Sequence, residues 1–480
     1  MAKPAVLLIG GLDPQGCAGI TADIATVQQH GCHALPLITA MTEQSSAGLT
    51  EFGAVSRDKF IAQYKNCIAD IEVQAIKIGL LPDLMIAETV LDIIKQHPTV
   101  PVVMDPVLGS TSGGLAVDET VQAYIQDAIL PYVSLLTPNL LELTQLVPTA
   151  PSMQQAAQDL RLMGLKACLV KGGHADSAYA SDYFVADEIA FYCYQDKAAF
   201  NVRGTGCVLA SAIASHLAAG QDIRDAIVLA KAYISRGIRL SATVGPYRVI
   251  EHSQEPMTLQ DLPKLCYRSE LIGQQFDFPT CPQRLGIYPV VDTFDWVKKL
   301  VDIDIETIQL RVKEKDQVAT REQIKQATEY VADRPVNFFV NDHWKIAIEQ
   351  GAYGVHLGQE DLHDANLEQI ADAGLRLGIS THSYWELARA LAVNPSYIAL
   401  GPIYETTSKQ MPFSPQGIDR LAQWVSLLAG KYPVVAIGGI NAERAQQLKA
   451  TGVGSVAMIT AITHAEDYRQ ATSELLNIWH

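Results

Sequence analysis

No two cysteines of this sequence stand in a C-x-x-C pair. Cys17, Cys32, Cys67, Cys168, Cys193, Cys207, Cys266 and Cys281 are scattered, which argues against a zinc ribbon or a dithiol redox motif. An excess of positive charge is also missing. Lys and Arg total 36 against 52 Asp and Glu, a net charge of -16. That balance argues against general nucleic-acid binding, which needs clustered cations along a phosphate backbone. Phosphorylated small molecules stay open, because a few local cations, backbone N–H groups or Mg²⁺ suffice for them. No apolar stretch reaches the roughly 18 residues of a membrane span. The first apolar run, Ala5–Ile9, is too short for a signal peptide and meets glycines at once. A reduced, cytoplasmic enzyme is expected, with small-molecule substrates and neither nucleic acid nor membrane as partner. A homo-oligomer is compatible with the sequence.

What is present is a globular composition, 48% hydrophobic and 18% charged over 480 residues, enough for two α/β domains. Short β-branched runs alternate with amphipathic stretches, the pattern of parallel sheets with crossover helices. In the first half, strands are expected near Ala5–Gly11, Ala34–Met41, Ala75–Leu81, Val100–Val107, Ser134–Pro138 and Ala167–Gly173. A hairpin is expected over Tyr179–Tyr194, and helices over Val208–Ala219 and Ile223–Ser241. This half reads as an open, doubly wound sheet, with ligands at the C-terminal strand ends. The alternation stops between Gly245 and Arg284, in a polar segment holding Pro246, Pro256, Pro263, Pro279 and Pro282. The expected domains are 1–270 and 284–480, joined by a linker at 271–283, with the boundary near Gly273–Pro282. The stretch Tyr247–Asp277 carries no functional motif.

From Leu285 the alternation restarts. Strands are expected at Gly286–Val291, Thr307–Arg311, Val336–Val340, Gly354–Leu357, Leu375–Ile379, Tyr397–Leu400, Val434–Ile437 and Ser455–Ile459, each followed by a helical pattern. Eight such units make a (β/α)₈ TIM barrel, whose active site lies at the C-terminal strand ends. Those ends carry Asp292; Gln309, Arg311 and Lys313; Asn341 and Asp342; Gly358 to Asp361; Ser380 and His382; Glu405 to Lys409; Gly438 and Gly439; and Thr460. Arg311, Lys313 and Lys409 suit phosphate groups. Asp342 and Asp361, on neighbouring strands, could hold one Mg²⁺. A lone Lys or Asp on a loop is more often simply solvated, and His356 and His382 read as structural residues rather than metal ligands. The weight comes from the whole ring occurring at successive strand ends.

The strings Gln309-Leu-Arg-Val-Lys313, Asn341-Asp342, Gly354-Val-His-Leu-Gly-Gln-Glu-Asp361, Gly401-Pro-Ile-Tyr404 with Thr406 and Ser408-Lys409, and Ile437-Gly-Gly-Ile440 resemble the thiamine-phosphate synthase family. The resemblance implies that Gln309, Arg311, Lys313, Asn341, Ser380 and Lys409 meet the pyrophosphate of a pyrimidine diphosphate. By the same resemblance Asp342 and Asp361 hold Mg²⁺. Thr406, Ser408, Gly439, Ile459 and Thr460 are implied at the phosphate of a thiazole partner. Ser408 and Thr460 replace the commoner Thr and Ser and keep the hydroxyl.

In the first half the sharpest signal is Gly204-Thr-Gly-Cys207 opening an apolar helix. Such a turn presents free N–H groups at a positive dipole end, an anion hole. Cys207, in the first turn, is expected to have its thiolate favoured and to accept a proton, although a buried Cys on an apolar helix is more often inert. The loop Gly10 to Asp23 is Gly-rich but is not a P-loop, because no Gly-Lys-Ser/Thr follows. With Asp105, Thr137-Pro-Asn-Leu-Leu-Glu142 and Lys171-Gly-Gly-His174, it resembles ribokinase-like hydroxymethylpyrimidine/phosphomethylpyrimidine kinases. The resemblance implies Gly11, Asp23 and Gln44 on the pyrimidine, and Gly204, Gly206 and Cys207 as the catalytic set. It puts Asp105, Asn139, Glu142 and Lys171 near ATP and Mg²⁺. Leu12, Gln15, Cys17 and Asn201-Val-Arg203 depart from that family's usual residues. Taken together, the two halves imply phosphorylation of the pyrimidine to its diphosphate and then condensation to thiamine phosphate. The competing readings are a kinase-like half that only binds pyrimidine, a vitamin B6 kinase, and a barrel that isomerises a thiazole.

Overall fold

The run Ala5–Leu12 forms the first strand, β1, and both of its faces are buried. Leu7 and Ile9 pack in one core with Phe60, Ile86 and Val90. Val6 and Leu8, equally buried, point the other way. A strand covered on both faces belongs to a parallel sheet between two helix layers. The other strands of the first half are β2 (His33–Ser45), β3 (Gly48–Ala54), β4 (Ala75–Ile78), β5 (Val102–Met104), β6 (Leu135–Leu136), β7 (Cys168–Val170), β8 (Tyr179–Val185), β9 (Ala190–Asp196), β10 (Val202–Arg203), β11 (Ala242–Val244), β12 (Tyr247–Val249) and β13 (Lys264–Cys266). Ten of them form one sheet in the order β13-β9-β8-β7-β6-β5-β4-β1-β2-β3. The centre is parallel, while β3, β8, β9 and β13 run antiparallel to their neighbours. The order reverses between β1 and β4, and a ligand site is expected outside the strand ends at such a point.

This computed structural model describes residues 2–45, 48–109, 117–173, 177–313, 316–406 and 414–479. The chain divides into two compact units, Met1–Gly273 and Gln274–His480. The stretch after Gly245 is part of the first unit. Within it β12 pairs with β10 and β11, and β13 lengthens the main sheet beside β9. Between them Arg239 grips Asp261 through two N–H···O bonds of 2.8 Å each. These strands left no periodic signal to read, because each is three residues or fewer and its pairing is set by distant partners.

The second unit is a closed parallel barrel, as expected. Its strands are β14 (Gly286–Val291), β15 (Thr307–Leu310), β16 (Asn337–Asn341), β17 (Gly354–Leu357), β18 (Arg376–Thr381), β19 (Tyr397–Leu400), β20 (Val434–Ile437) and β21 (Ser455–Met458), and β21 pairs back onto β14. Tyr288, Val290, Phe339, Tyr397, Ala399, Val435 and Ala457 fill the interior. The Tyr397 ring fits because residue 378 is glycine; a Cβ there would strike the ring. No helix among the described residues is long and apolar enough to cross a membrane.

Candidate active sites

The first unit opens a cavity of about 560 Å³ where the strand order reverses. Gly11, Asp105, Asn139, Glu142, Lys171, Gly204, Gly206 and Cys207 all line it, so residues spread over almost two hundred positions converge. Gly204 has a left-handed φ of 85°, and a Cβ there would collide with the Cys17 carbonyl. Only glycine lets the two loops approach this closely. The helix Thr205–Ala218 starts directly after it, and the N–H groups of that first turn have no acceptor within the helix.

Lys171 Nζ bonds Asp105 Oδ1 at 2.6 Å and lies 3.8 Å from Glu142 Oε2. Asn139 and Glu142 also cap the helix Leu140–Leu146. The Asn139 side chain accepts from the Glu142 N–H at 2.9 Å, and the Glu142 carboxylate accepts from the Asn139 N–H at 2.7 Å. This fixes one carboxylate oxygen toward Asn139 while the residue still lines the cavity. Burial pushes the Glu142 carboxyl up to about 7; Lys171 pulls it back and Asp105 adds to the rise.

Three sequence readings need correcting or completing. The Cys207 thiolate is not favoured: burial pushes the thiol up to about 11, against the pull of Lys77 and of the Gly19 N–H, while Asp23 and Asp105 add to the rise. The helix dipole is worth only about half a charge, and desolvation outweighs it here. Asp23 does not line the cavity. It is fully buried behind Gly10, where it accepts from Lys77 Nζ at 2.7 Å and from Ser211 Oγ at 2.7 Å. Gln44 lies in β2, and its side chain falls outside the described residues.

Sequence reasoning missed Lys77, Asp13 and the pair Asp182–Lys231, all of which line the cavity. Lys77 had a usable signal. It is the one charge in the apolar run Ala75–Leu81, and a charge in a buried strand must be paired. Asp13 gathers the first loop by accepting from the N–H groups of Gln15, Cys17 and Ala18 at 2.9–3.1 Å. Lys231 Nζ meets Asp182 Oδ2 at 2.7 Å. The unusual residues of the two loops touch each other. Arg203 donates to Gln15 Oε1 at 3.4 Å and lies over the Tyr247 ring at 4.7 Å.

In the barrel, Arg311 follows β15, with its N–H on the Val291 carbonyl at 2.7 Å. Lys313 lies 3.6 Å from Asp292. Asn341 ends β16 and is buried. Asp342 follows with φ 63°, and its N–H donates to the His356 carbonyl at 3.0 Å, which holds it beside β17. Asp361 sits in the first turn of the helix Gln359–Asp364, directly after β17, and its carboxylate turns back over Gly358. These carboxylates on adjacent strand ends supply hard oxygen donors, a set that suits Mg²⁺ completed by water and phosphate oxygens. Thr406 follows β19, Gly439 follows β20, and Ile459 and Thr460 follow β21. Ser408 and Lys409 lie outside the described residues.

Ser380, at the end of β18, bonds His356 Nε2 at 2.8 Å, and His356 Nδ1 meets the Tyr397 hydroxyl at 2.7 Å. Tyr397 meets the Tyr288 hydroxyl at 2.9 Å, which accepts from Gln309 Nε2 at 3.2 Å. Gln309 therefore points into the barrel core and is buried. Burial, with Arg311 and His382 adding to it, lowers His356 to about 4. The imidazole is neutral at ordinary pH. His382 is tied to Glu386 at 2.8 Å.

Comparison with known proteins divides along the same line as the fold. A family model described as phosphomethylpyrimidine kinase matches residues 13–251, and one described as thiamine monophosphate synthase matches residues 287–462. The thiamine-phosphate synthase of Citrobacter koseri is 50% identical over 204 residues, 42% of this chain and 96% of that protein. The Salmonella typhimurium enzyme of the same name is 52% identical over the same shares. Among solved structures, a pyridoxal kinase from Staphylococcus aureus in complex with AMP-PCP and pyridoxal is 22% identical. It aligns over 55% of this chain and 98% of its own with a TM-score of 0.50. That likeness concerns the fold.

Proposed function

The chain belongs to the thiamine-phosphate synthase family in its barrel half and carries a phosphomethylpyrimidine kinase domain ahead of it, and on that premise we propose that one polypeptide performs successive steps of thiamine assembly. The first unit phosphorylates 4-amino-5-hydroxymethyl-2-methylpyrimidine and then its monophosphate with ATP. The barrel joins the diphosphate to 4-methyl-5-(2-phosphoethyl)thiazole, releasing pyrophosphate. The observation that carries the kinase assignment is the convergence of Gly204, Gly206, Cys207, Lys171, Asp105 and Glu142 on one cavity. A cytoplasmic location fits the use of ATP.

In the kinase half, Gly11 lies at the pyrimidine end of the cavity. The first-turn N–H groups after Gly204 receive the negative charge that develops on the transferred phosphoryl group. Lys171, held by Asp105, adds a fixed cation beside them. Cys207 Sγ takes the proton of the attacking hydroxyl. The raised pKa means this happens only as the hydroxyl is brought against it, with Lys77 and the Gly19 N–H favouring the anion. Asp105, Asn139 and Glu142 would hold Mg²⁺ with the nucleotide.

In the barrel half, Asp342 and Asp361 would hold Mg²⁺. When bound, that ion neutralises charge on the departing pyrophosphate. Arg311, Lys313, Asn341 and Lys409 bind and orient the pyrophosphate oxygens, and Ser380 donates a hydrogen bond to them. Thr406, Ser408, Gly439, Ile459 and Thr460 cradle the thiazole phosphate, so that the thiazole nitrogen faces the pyrimidine methylene carbon. That carbon loses its bond to the pyrophosphate oxygen and gains one to the nitrogen.

The test is a one-pot reaction of the purified chain with ATP, Mg²⁺, the hydroxymethylpyrimidine and the thiazole phosphate, read by the mass of thiamine phosphate. Pyridoxal is run beside the pyrimidine. Product formation supports the whole scheme; failure that preformed pyrimidine diphosphate does not rescue overturns the condensation. Cys207→Ala is expected to abolish the kinase steps and spare condensation, and Asp361→Ala to do the reverse.

A further inference from the structure

Four side-chain hydrogen bonds cross the barrel core in series, from Gln309 through Tyr288, Tyr397 and His356 to Ser380. Gln309, Tyr288, Tyr397 and His356 are buried, so each polar hydrogen there needs an acceptor. Each tyrosine has one hydrogen to give, and a neutral imidazole has one N–H. The direction of one bond then fixes the direction of all the others.

The Gln309 amide reaches both tyrosine hydroxyls and presents its nitrogen to Tyr288, so Tyr288 accepts. If Tyr397 also donated to Tyr288, the Tyr288 hydrogen would be left with no acceptor among the bonds of this chain. Tyr288 therefore donates to Tyr397, Tyr397 donates to His356 Nδ1, and His356 must carry its proton on Nε2 and donate to Ser380 Oγ. Ser380 is the one member of the five that is only partly buried. Its own hydrogen is then left over, free to turn toward an acceptor outside the series. The opposite direction would require Gln309 to present its oxygen, and Ser380 would then spend its hydrogen on His356 and turn lone pairs toward the mouth. Lone pairs repel an anion; a hydroxyl hydrogen binds one.

We infer that this chain of hydrogen bonds is a one-way relay that makes Ser380 an obligatory donor to an anionic oxygen at the barrel mouth, with Tyr288, Tyr397 and His356 as positioning residues. The relay extends the proposed role of Ser380 and rests on that reading only for the identity of the anion. Gly378 belongs to the same device, because its missing side chain makes the room in which the Tyr397 ring stands between Tyr288 and His356.

Nitrogen-15 spectra of the full-length chain, labelled at histidine, read the direction without any activity. His356, assigned by its loss in His356→Gln, is expected as the Nε2–H tautomer. In Gln309→Glu, with the pH raised until the new carboxyl is seen to ionise, the carboxylate can only accept, so the relay should reverse and His356 should switch to Nδ1–H. A native Nδ1–H tautomer overturns the inference, and so does a tautomer indifferent to Gln309→Glu. The second arm measures binding of inorganic pyrophosphate with Mg²⁺ by calorimetry. Ser380→Ala and Tyr397→Phe should each weaken binding about tenfold, the scale of one hydrogen bond to a charged group. The double variant should be no weaker than Ser380→Ala alone, because the two act through one bond. Multiplying effects would mean that Tyr397 serves only the packing, and would overturn the relay. Loss of condensation with the tautomer and the coupling intact would count against the proposed function and leave the relay standing.

Discussion

A thiol in the first turn of a helix gains from the aligned peptide dipoles, and Cys207 shows how little that gain is when solvent is excluded. Its surroundings set the cations Lys77 and Lys171 against the two carboxylates Asp23 and Asp105, and burial outweighs them all. With the thiol at about 11, well above an ordinary cysteine, the ligand-free protein should alkylate slowly at this position. Iodoacetamide at pH 7.5 is expected to modify Cys207 on the order of a hundredfold more slowly than free cysteine, since each pKa unit removes a factor of ten in thiolate. Peptide mapping by mass spectrometry checks this, and rapid labelling would show an anion already present. The same residue shows where sequence reading stops. Gly204-Thr-Gly-Cys207 was legible as a glycine turn opening a helix, and it lines the cavity. The protonation of the thiol depends on Lys77, Asp23 and Asp105, which arrive from three other strands and helices.

At the scale of elements, the pair Lys77–Asp23 joins β4 to the helix Gly19–Gln29, and Ser211 ties in the helix Thr205–Ala218. Both charges are inaccessible to solvent, so removing one strands the other. Lys77→Met is expected to destabilise the first unit by about 3–5 kcal/mol, and Lys77→Met with Asp23→Leu to recover much of that. Thermal unfolding of the three proteins decides it. The helices Gly19–Gln29 and Thr205–Ala218 also bring His30 and His216 together, with ring centroids 4.8 Å apart, near Tyr233, Arg236 and His252. Burial, with the neighbouring His30 adding to it, lowers His216 from its ordinary 6.5 to about 3. Between those values the unfolded chain binds a proton that the folded one refuses. Stability therefore falls as pH drops from about 6.5 toward 3. His216→Gln should flatten that slope in melting curves recorded across the window. The long buried strands were legible because their apolar runs are continuous, as in Ala5–Ile9 and Val434–Ile437. The edge strands β3 and β13 were not, because half or more of what defines them is a neighbour's free edge. Lys77 was passed over because it interrupts such a run, although the interruption was itself the clue.

At the scale of the whole molecule, each candidate site draws the described residues named above from one unit. The polar chain from Gln309 to Ser380 and the carboxylates Asp342 and Asp361 all belong to the second unit, and the cavity around Cys207 belongs to the first. Residues 274–480 expressed alone are therefore expected to condense supplied pyrimidine diphosphate with the thiazole phosphate at the rate of the full chain. A steady-state assay of the two proteins side by side checks it, and a drop of tenfold or more would mean that the first unit completes the barrel's site. The closure of the barrel has a further consequence for how the chain is made. Because β14 finds its second neighbour only in β21, residues 286–291 must wait for residues 455–458 before the ring can shut. The ten-stranded sheet is finished at residue 266, so on the ribosome the first unit can fold while the second is still being translated. The barrel's edges stay open until nearly the last of the chain described here has emerged, and in that interval nascent chains are most exposed to pairing with one another.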